Sequence, residues 1–173
     1  LIINNFKIKK VLMFEPQKII FKFIKKKYIK NKSIKIYNQA ISDKKNRQIL
    51  YINKHDLTSS LSKIDKKNRY LNFKALLFGG SINDMVKKKS KVNSSKLSAI
   101  IKKSKIRKID LLKIDTEGHE LQVLKGTGSF LKKNVNYMLI EIHNSDIFLN
   151  YDSKKIHNYL KKNQFILKKV FKF

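Results

Sequence analysis

The stretch LLKIDTEGHELQVLKG, Leu111 to Gly126, limits what this chain can fold into more than any other. Leu111, Leu112 and Ile114 form a short apolar run, the pattern of a strand covered on both faces of a sheet. Leu121, Val123 and Leu124 then fall at helical spacing, and Gly126 offers a C-terminal stop. Between them, Asp115, Glu117, Gly118, His119 and Glu120 crowd the point where the strand must end. In open α/β sheets, ligands bind beyond the carboxyl ends of the strands. The acids are therefore functional candidates, although a solvated turn ahead of a helix carries the same residue types.

Taken in order, the chain repeats this pattern. Val11 to Phe14 is a compact apolar run, and Pro16 biases Glu15 toward an extended backbone before opening a helix itself at the first helical position. Ile20, Phe23, Ile24 and Tyr28 share one face of that helix. A carboxylate such as Glu15 at a strand end can accept both hydroxyls of a ribose; a solvated strand terminus is the alternative. Ser33 to Asn38 alternates as the next strand, with Ala40 to Asp43 at its carboxyl end, and Gln48 to Ile52 reads as another. Thr58, Ser59 and Ser60 bring hydroxyls to the same edge. Asn53 to Lys91 is an irregular, mobile excursion over the active-site face, holding the apolar patches Tyr70 to Phe73 and Ala75 to Phe78 and a turn at Gly79-Gly80. Lys96 to Lys103 is a helix, with Ser94 or Ser95 available as its cap. Tyr137 to Ile142 is a second continuous apolar run, ending among Glu141, His143 and Asn144. Ile156, Tyr159 and Leu160 mark a short helix, and Phe165 to Phe173 a closing strand.

A helix over Glu120 to Lys125 separates the runs ending at Ile114 and Ile142, so these strands are expected to lie parallel as neighbours. Asp115, Glu117, Glu141 and His143 should then line one cleft with Glu15.

The chain of 173 residues has the length of one domain, residues 1–173, and its 42% hydrophobic content can fill a core. With Lys+Arg 41 against Asp+Glu 12, the net charge is +29, which attracts nucleic acid, anionic lipid or acidic glycans. The lysines are scattered through every segment, as AT-rich coding produces, so nucleic-acid binding is not the favoured reading. The absence of cysteine excludes disulfides, thiolate catalysis and sulfur-held zinc, and suits a cytoplasmic protein. The sequence has no apolar run long enough for a transmembrane helix.

KIDTEGHELQVLKG followed by LIEIH, Leu139 to His143, resembles the core signature of FkbM-type S-adenosylmethionine-dependent methyltransferases. VLMFEP (Val11 to Pro16), NQAISD (Asn38 to Asp43) and SSL (Ser59 to Leu61) fit in the same order, so the resemblance covers about residues 11 to 143. It implies a Rossmann-like α/β fold, with a mainly parallel sheet and helices on both faces, and S-adenosylmethionine as cofactor. Within it, Glu15 would hold the ribose, Ala40 and Asp43 would lie beside the adenine, and Asp115 would reach the methyl donor. Asp43 could equally cap its own turn. Leu97-Ser98 departs from a Leu-Asp pair frequent in the family. The family's first strand and glycine-rich loop have no counterpart before Val11, so either a fragment truncated at its N-terminus or a degenerate domain is expected.

Methyl transfer to a hydroxyl needs donor and acceptor held in contact and a base for the acceptor's proton. Asp115, Glu117 and His143 are the candidates, with His143 closest to neutral pKa; a core histidine bonded to a backbone carbonyl is its alternative. These groups with Glu141 could also hold a divalent cation, but turn carboxylates need no metal, and none is assigned. The sequence thus points first to O-methylation of a small molecule, sugar or glycan. A nucleic-acid-binding protein or RNA methyltransferase, and a non-catalytic remnant of the fold, are the alternatives. Dispersed lysines favour the first, and clustered lysines with exposed aromatics the second.

Overall fold

The computed structural model describes residues 8–53, 59–77, 80–143 and 147–171. Thr58, Phe78, Gly79, Asn144 and Phe173, named above, lie outside them. The chain opens on strand β1 (Val11–Phe14), helix α1 (Lys18–Lys27) and strand β2 (Ile34–Tyr37), and the two strands pair in parallel from Val11↔Ile34 to Phe14↔Tyr37. Pro16 stands ahead of the helix rather than inside it, since Gln17 is the N-cap. Lys25, Lys26 and Lys27 fill the last turn of α1, where cations oppose the negative end of the helix dipole.

Strand β3 (Ala40–Ile41) pairs in parallel with β6 (Val86–Ser95). Strand β4 (Arg47–Asn53) lies antiparallel to β6 and to β5 (Ser59–Ser60), giving the order β3-β6-β4-β5. The excursion between β5 and β6 holds helix α2 (Arg69–Leu77) and a single 3-10 turn, Ile82–Asp84. The residues of both expected apolar patches as far as Leu77 fall in α2, although Tyr70, Phe73, Leu76 and Leu77 stay exposed.

Helix α3 (Leu97–Lys103) follows, then β7 (Ile109–Ile114), α4 (Glu120–Thr127), α5 (Phe130–Asn134), β8 (Val135–Ile140) and α6 (Ser153–Lys162). The expected parallel neighbours form, with Ile109 against Val135 and Ile114 against Ile140. Their helical crossover supplies Val123, Leu124 and Leu131, the last two fully buried, to a core shared with Ile41, Leu97, Ile100, Ile101, Ile114 and Ile156.

The fold is thus α/β, with parallel pairs at both ends and a mixed central sheet. Strand β6, VKKKSKVNSS, has little apolar content and no counterpart in the sequence reading. Conversely, residues 165–171 form no strand: Ile166, Leu167, Val170 and Phe171 are exposed, and the alternation there has no partner edge. Ser94 and Ser95 do not cap α3, whose N-cap is Lys96; Ser94 is buried and bonds instead to Asn46 and the Lys44 carbonyl. Helix α4 runs past Gly126 to Gly128, which takes φ +62° as the cap. Gly126 has a different use. A Cβ there would collide with the Ser42 carbonyl oxygen, so only glycine lets α4 lie against the loop after β3.

Candidate active site

The end of β7 is shaped by one buried carboxylate. Glu120, fully buried at the first turn of α4, accepts through Oε1 from the Gly118 amide (3.0 Å), the Thr116 amide (3.3 Å) and the Thr116 hydroxyl (3.0 Å). Asp115 to His119 are thereby folded back onto their own helix, and the acid sits at the positive end of the helix dipole. Such folding needs left-handed backbone at Glu117 (φ +53°) and Gly118 (φ +88°). Gly118 is doubly required, because a Cβ would lie 2.5 Å from the Phe148 ring. The turn's carbonyls are held from the other side: Ser60 Oγ donates to the Glu117 carbonyl, and Ser62 Oγ to that of Gly118 at 2.7 Å.

The Glu117 side chain is directed at the end of β8. Its Oε2 lies 3.5 Å from His143 Nε2, an ion-pair approach between two groups that are both mostly buried. The His143 amide donates to the Tyr151 hydroxyl at 2.9 Å, and its ring meets Phe148 and Tyr151 edge to face, with centroids 5.4 and 6.2 Å away. Burial pushes the Tyr151 phenol up to about 12, so it stays neutral. His143 Nε2 thus faces a carboxylate without a hydrogen bond to it, while aromatic neighbours pack against the ring.

Asp115 does not join this pair. It is exposed and lies 2.5 Å from the Nζ of Lys113, two residues back near the end of β7. Glu141 is also exposed; its amide donates to the Ile114 carbonyl and extends the β7–β8 ladder. Among the described residues, no three His, Cys, Asp or Glu side chains are grouped to hold a metal.

Glu15 stands at the corresponding end of β1. Its amide continues the ladder to Tyr37 O, and Oε1 accepts from the Gln17 amide at 2.6 Å. The Asn38 side chain donates to the carbonyls of Glu15 and Pro16, tying the ends of β1 and β2 together. Burial raises the Glu15 pKa, opposed by the Gln17 amide. A partly desolvated carboxylate with one oxygen uncommitted to Gln17 suits donors such as paired hydroxyls. Ala40 is buried in β3, and Asp43 is half-buried two residues past it, accepting from Ser42 Oγ at 3.2 Å.

Glu15, Glu117 and His143 follow β1, β7 and β8, at the strand ends where the sequence pattern puts them. Ser62, Phe148 and Tyr151, and the burial of His119, carry no local signal, because their contacts arise only when distant segments meet. The SSLS run at Ser59 to Ser62 was the one available signal for the serine clamp.

No solved structure matches the chain. Over 44 residues it is 41% identical to the hexuronic acid methyltransferase AglP of Haloferax volcanii, a match spanning 25% of this chain and 18% of that protein. It also matches the methyltransferase FkbM domain over residues 2–167, which takes in every strand end described above. A carboxylate at each of two parallel strand ends, with an imidazole facing the second, stands on the framework of that domain, and the chain belongs to the FkbM methyltransferase family.

Proposed function

We propose that the protein is an S-adenosylmethionine-dependent O-methyltransferase acting on a hydroxyl of a small molecule, sugar or glycan, built on a Rossmann-like variant of the α/β fold. The observation that carries this reading is the approach of Glu117 to His143 across the ends of β7 and β8. An imidazole held against a carboxylate is a base suited to an alcohol. The similarity to a hexuronic acid methyltransferase supports a sugar acceptor.

When bound, the cofactor supplies an electrophilic methyl group on a sulfonium sulfur. Glu15 is assigned to its ribose hydroxyls, and Ala40 and Asp43 to its adenine. His143 would take the acceptor's hydroxyl proton at Nδ1, the ring nitrogen that does not face Glu117, as the acceptor oxygen receives the methyl group. Glu117 balances the imidazolium that results. Asp115 closes β7 and is assigned to both the donor and the acceptor side.

The test measures methyl transfer by the full protein to glycans bearing uronic acids, alongside S-adenosylhomocysteine binding. His143→Asn is expected to lower kcat by about 10²–10⁴-fold with little change in that binding. Glu15→Ala is expected to weaken the binding by roughly 1.5–3 kcal/mol. Unaltered turnover in His143→Asn would remove the base, and unaltered binding in Glu15→Ala would remove the ribose site.

A further inference from the structure

Outside the Glu117–His143 pair, a second imidazole is buried in the protein with a polar partner. His119 is 7% exposed, and its Nε2 lies 2.9 Å from Ser42 Oγ. Ser42, itself 1% exposed, is bonded in turn to Asp43 Oδ1. Ser42 belongs to the loop that Gly126 admits against α4, so the contact joins the catalytic turn to the loop after β3.

Counting protons fixes the direction of this chain. An ionised Asp43 carboxylate can only accept, so the one hydroxyl proton of Ser42 goes to Oδ1. Ser42 Oγ must then accept from His119, which requires a proton on Nε2. Burial lowers the His119 pKa to about 4, against the opposing charge of Asp43, so the ring is neutral near pH 7 with its proton on that nitrogen.

We infer that His119 is a positioning residue for the cofactor: the relay from Nε2–H through the Ser42 hydroxyl aims Asp43 Oδ2 at the exocyclic amino group of adenine. The relay stands on geometry; its purpose rests on the cofactor reading above. By holding Oδ1, it leaves the second oxygen of Asp43 facing one way, and that oxygen accepts an amino hydrogen but opposes a carbonyl at the same place. The loop therefore selects a 6-aminopurine over a 6-oxopurine.

Two measurements on the full protein separate the relay from its purpose. Nitrogen-15 NMR of the histidine rings is expected to show His119 protonated at Nε2 and bare at Nδ1. The reverse tautomer would break the relay whatever the protein binds. Calorimetry then compares S-adenosylhomocysteine with S-inosylhomocysteine, in which a carbonyl replaces the amino group. Ser42→Ala and His119→Phe are expected to weaken S-adenosylhomocysteine roughly ten-fold, the scale of a hydrogen bond to a charged group, and to leave the inosine compound unchanged. His119→Gln, which can restore an N–H near Nε2, should recover most of the loss. Equal losses for both ligands would mean a merely structural role and overturn the positioning inference, as would no loss at all. A wild-type protein that binds neither ligand would overturn the cofactor reading and the purpose of the relay together, with the tautomer still deciding the relay itself.

Discussion

The two hydrophobic clusters of the molecule are built differently. The larger draws on helices α3, α4, α5 and α6 and buries Leu124, Leu131 and Ile156 almost completely. The smaller, Leu71, Ala75 and Ile82 with Ile64, Met85 and Ile147 around them, lies within and beside the excursion before β6. Yet the smaller one flanks the site. Ile64 pairs with Phe148 in an isolated antiparallel bridge, Phe148 covers Gly118, and Ser60 and Ser62 hold the carbonyls of the turn. The large cluster fixes where β7 ends, while the outlying segment fixes how the turn after it is bent.

The sharpest way to test this division is to weaken each cluster separately. Leu124→Ala should cost about 4 kcal/mol in denaturant unfolding, since a fully buried leucine leaves a cavity that surrounding elements cannot fill. Leu71→Ala should cost about 2 kcal/mol, with faster amide exchange confined to α2 and the segment near Ile64. Equal global losses would mean that the two clusters unfold as one. Next in size, Gly118→Ala combines left-handed strain with a clash against Phe148, and should cost about 3 kcal/mol while lowering kcat more than stability alone explains. A variant of normal turnover would show that the bend is not needed.

The third test uses acid. His119 is held near 4 in the fold and returns to about 6.5 when unfolded, so the unfolded chain binds the extra proton between these values. Stability attributable to this histidine is present above pH 6.5 and lost as pH falls toward 4, amounting to about 2 kcal/mol between pH 7 and pH 5. His119→Phe should flatten that part of the stability profile. An unchanged profile would mean that His119 is not buried as described.

Legibility in the sequence follows the same division. Ile20, Ile24, Leu97, Ile100, Ile101, Val123 and Leu124 repeat at helical spacing, and the elements they imply are present. Glu15, Glu117 and His143 could be read as strand-end groups because their strands are short continuous apolar runs. Strand β6 could not, because VKKKSKVNSS forms by backbone pairing with β4, with Lys87, Lys88 and Lys89 left in solvent. The alternation after Phe165 misleads for the opposite reason: apolar spacing without a neighbouring edge makes no strand. Contacts between His119 and Ser42, or between Ser62 and Gly118, depend on segments far apart in sequence, and no local period encodes them.

The pairing of Arg47 with Asn93 and of Asn53 with Val86 also has a temporal side. As the chain is synthesised, β1 meets β2 after only a helix, but β4 has no long partner until β6 emerges behind the whole excursion. Closing that loop brings residues far apart in sequence together before any ladder bond forms, a step that is intrinsically slow. Leu50, almost wholly buried in the finished sheet, is left uncovered during that interval. An unpaired β4 edge during that interval is open to association between nascent chains, which completion of the β4–β6 ladder removes.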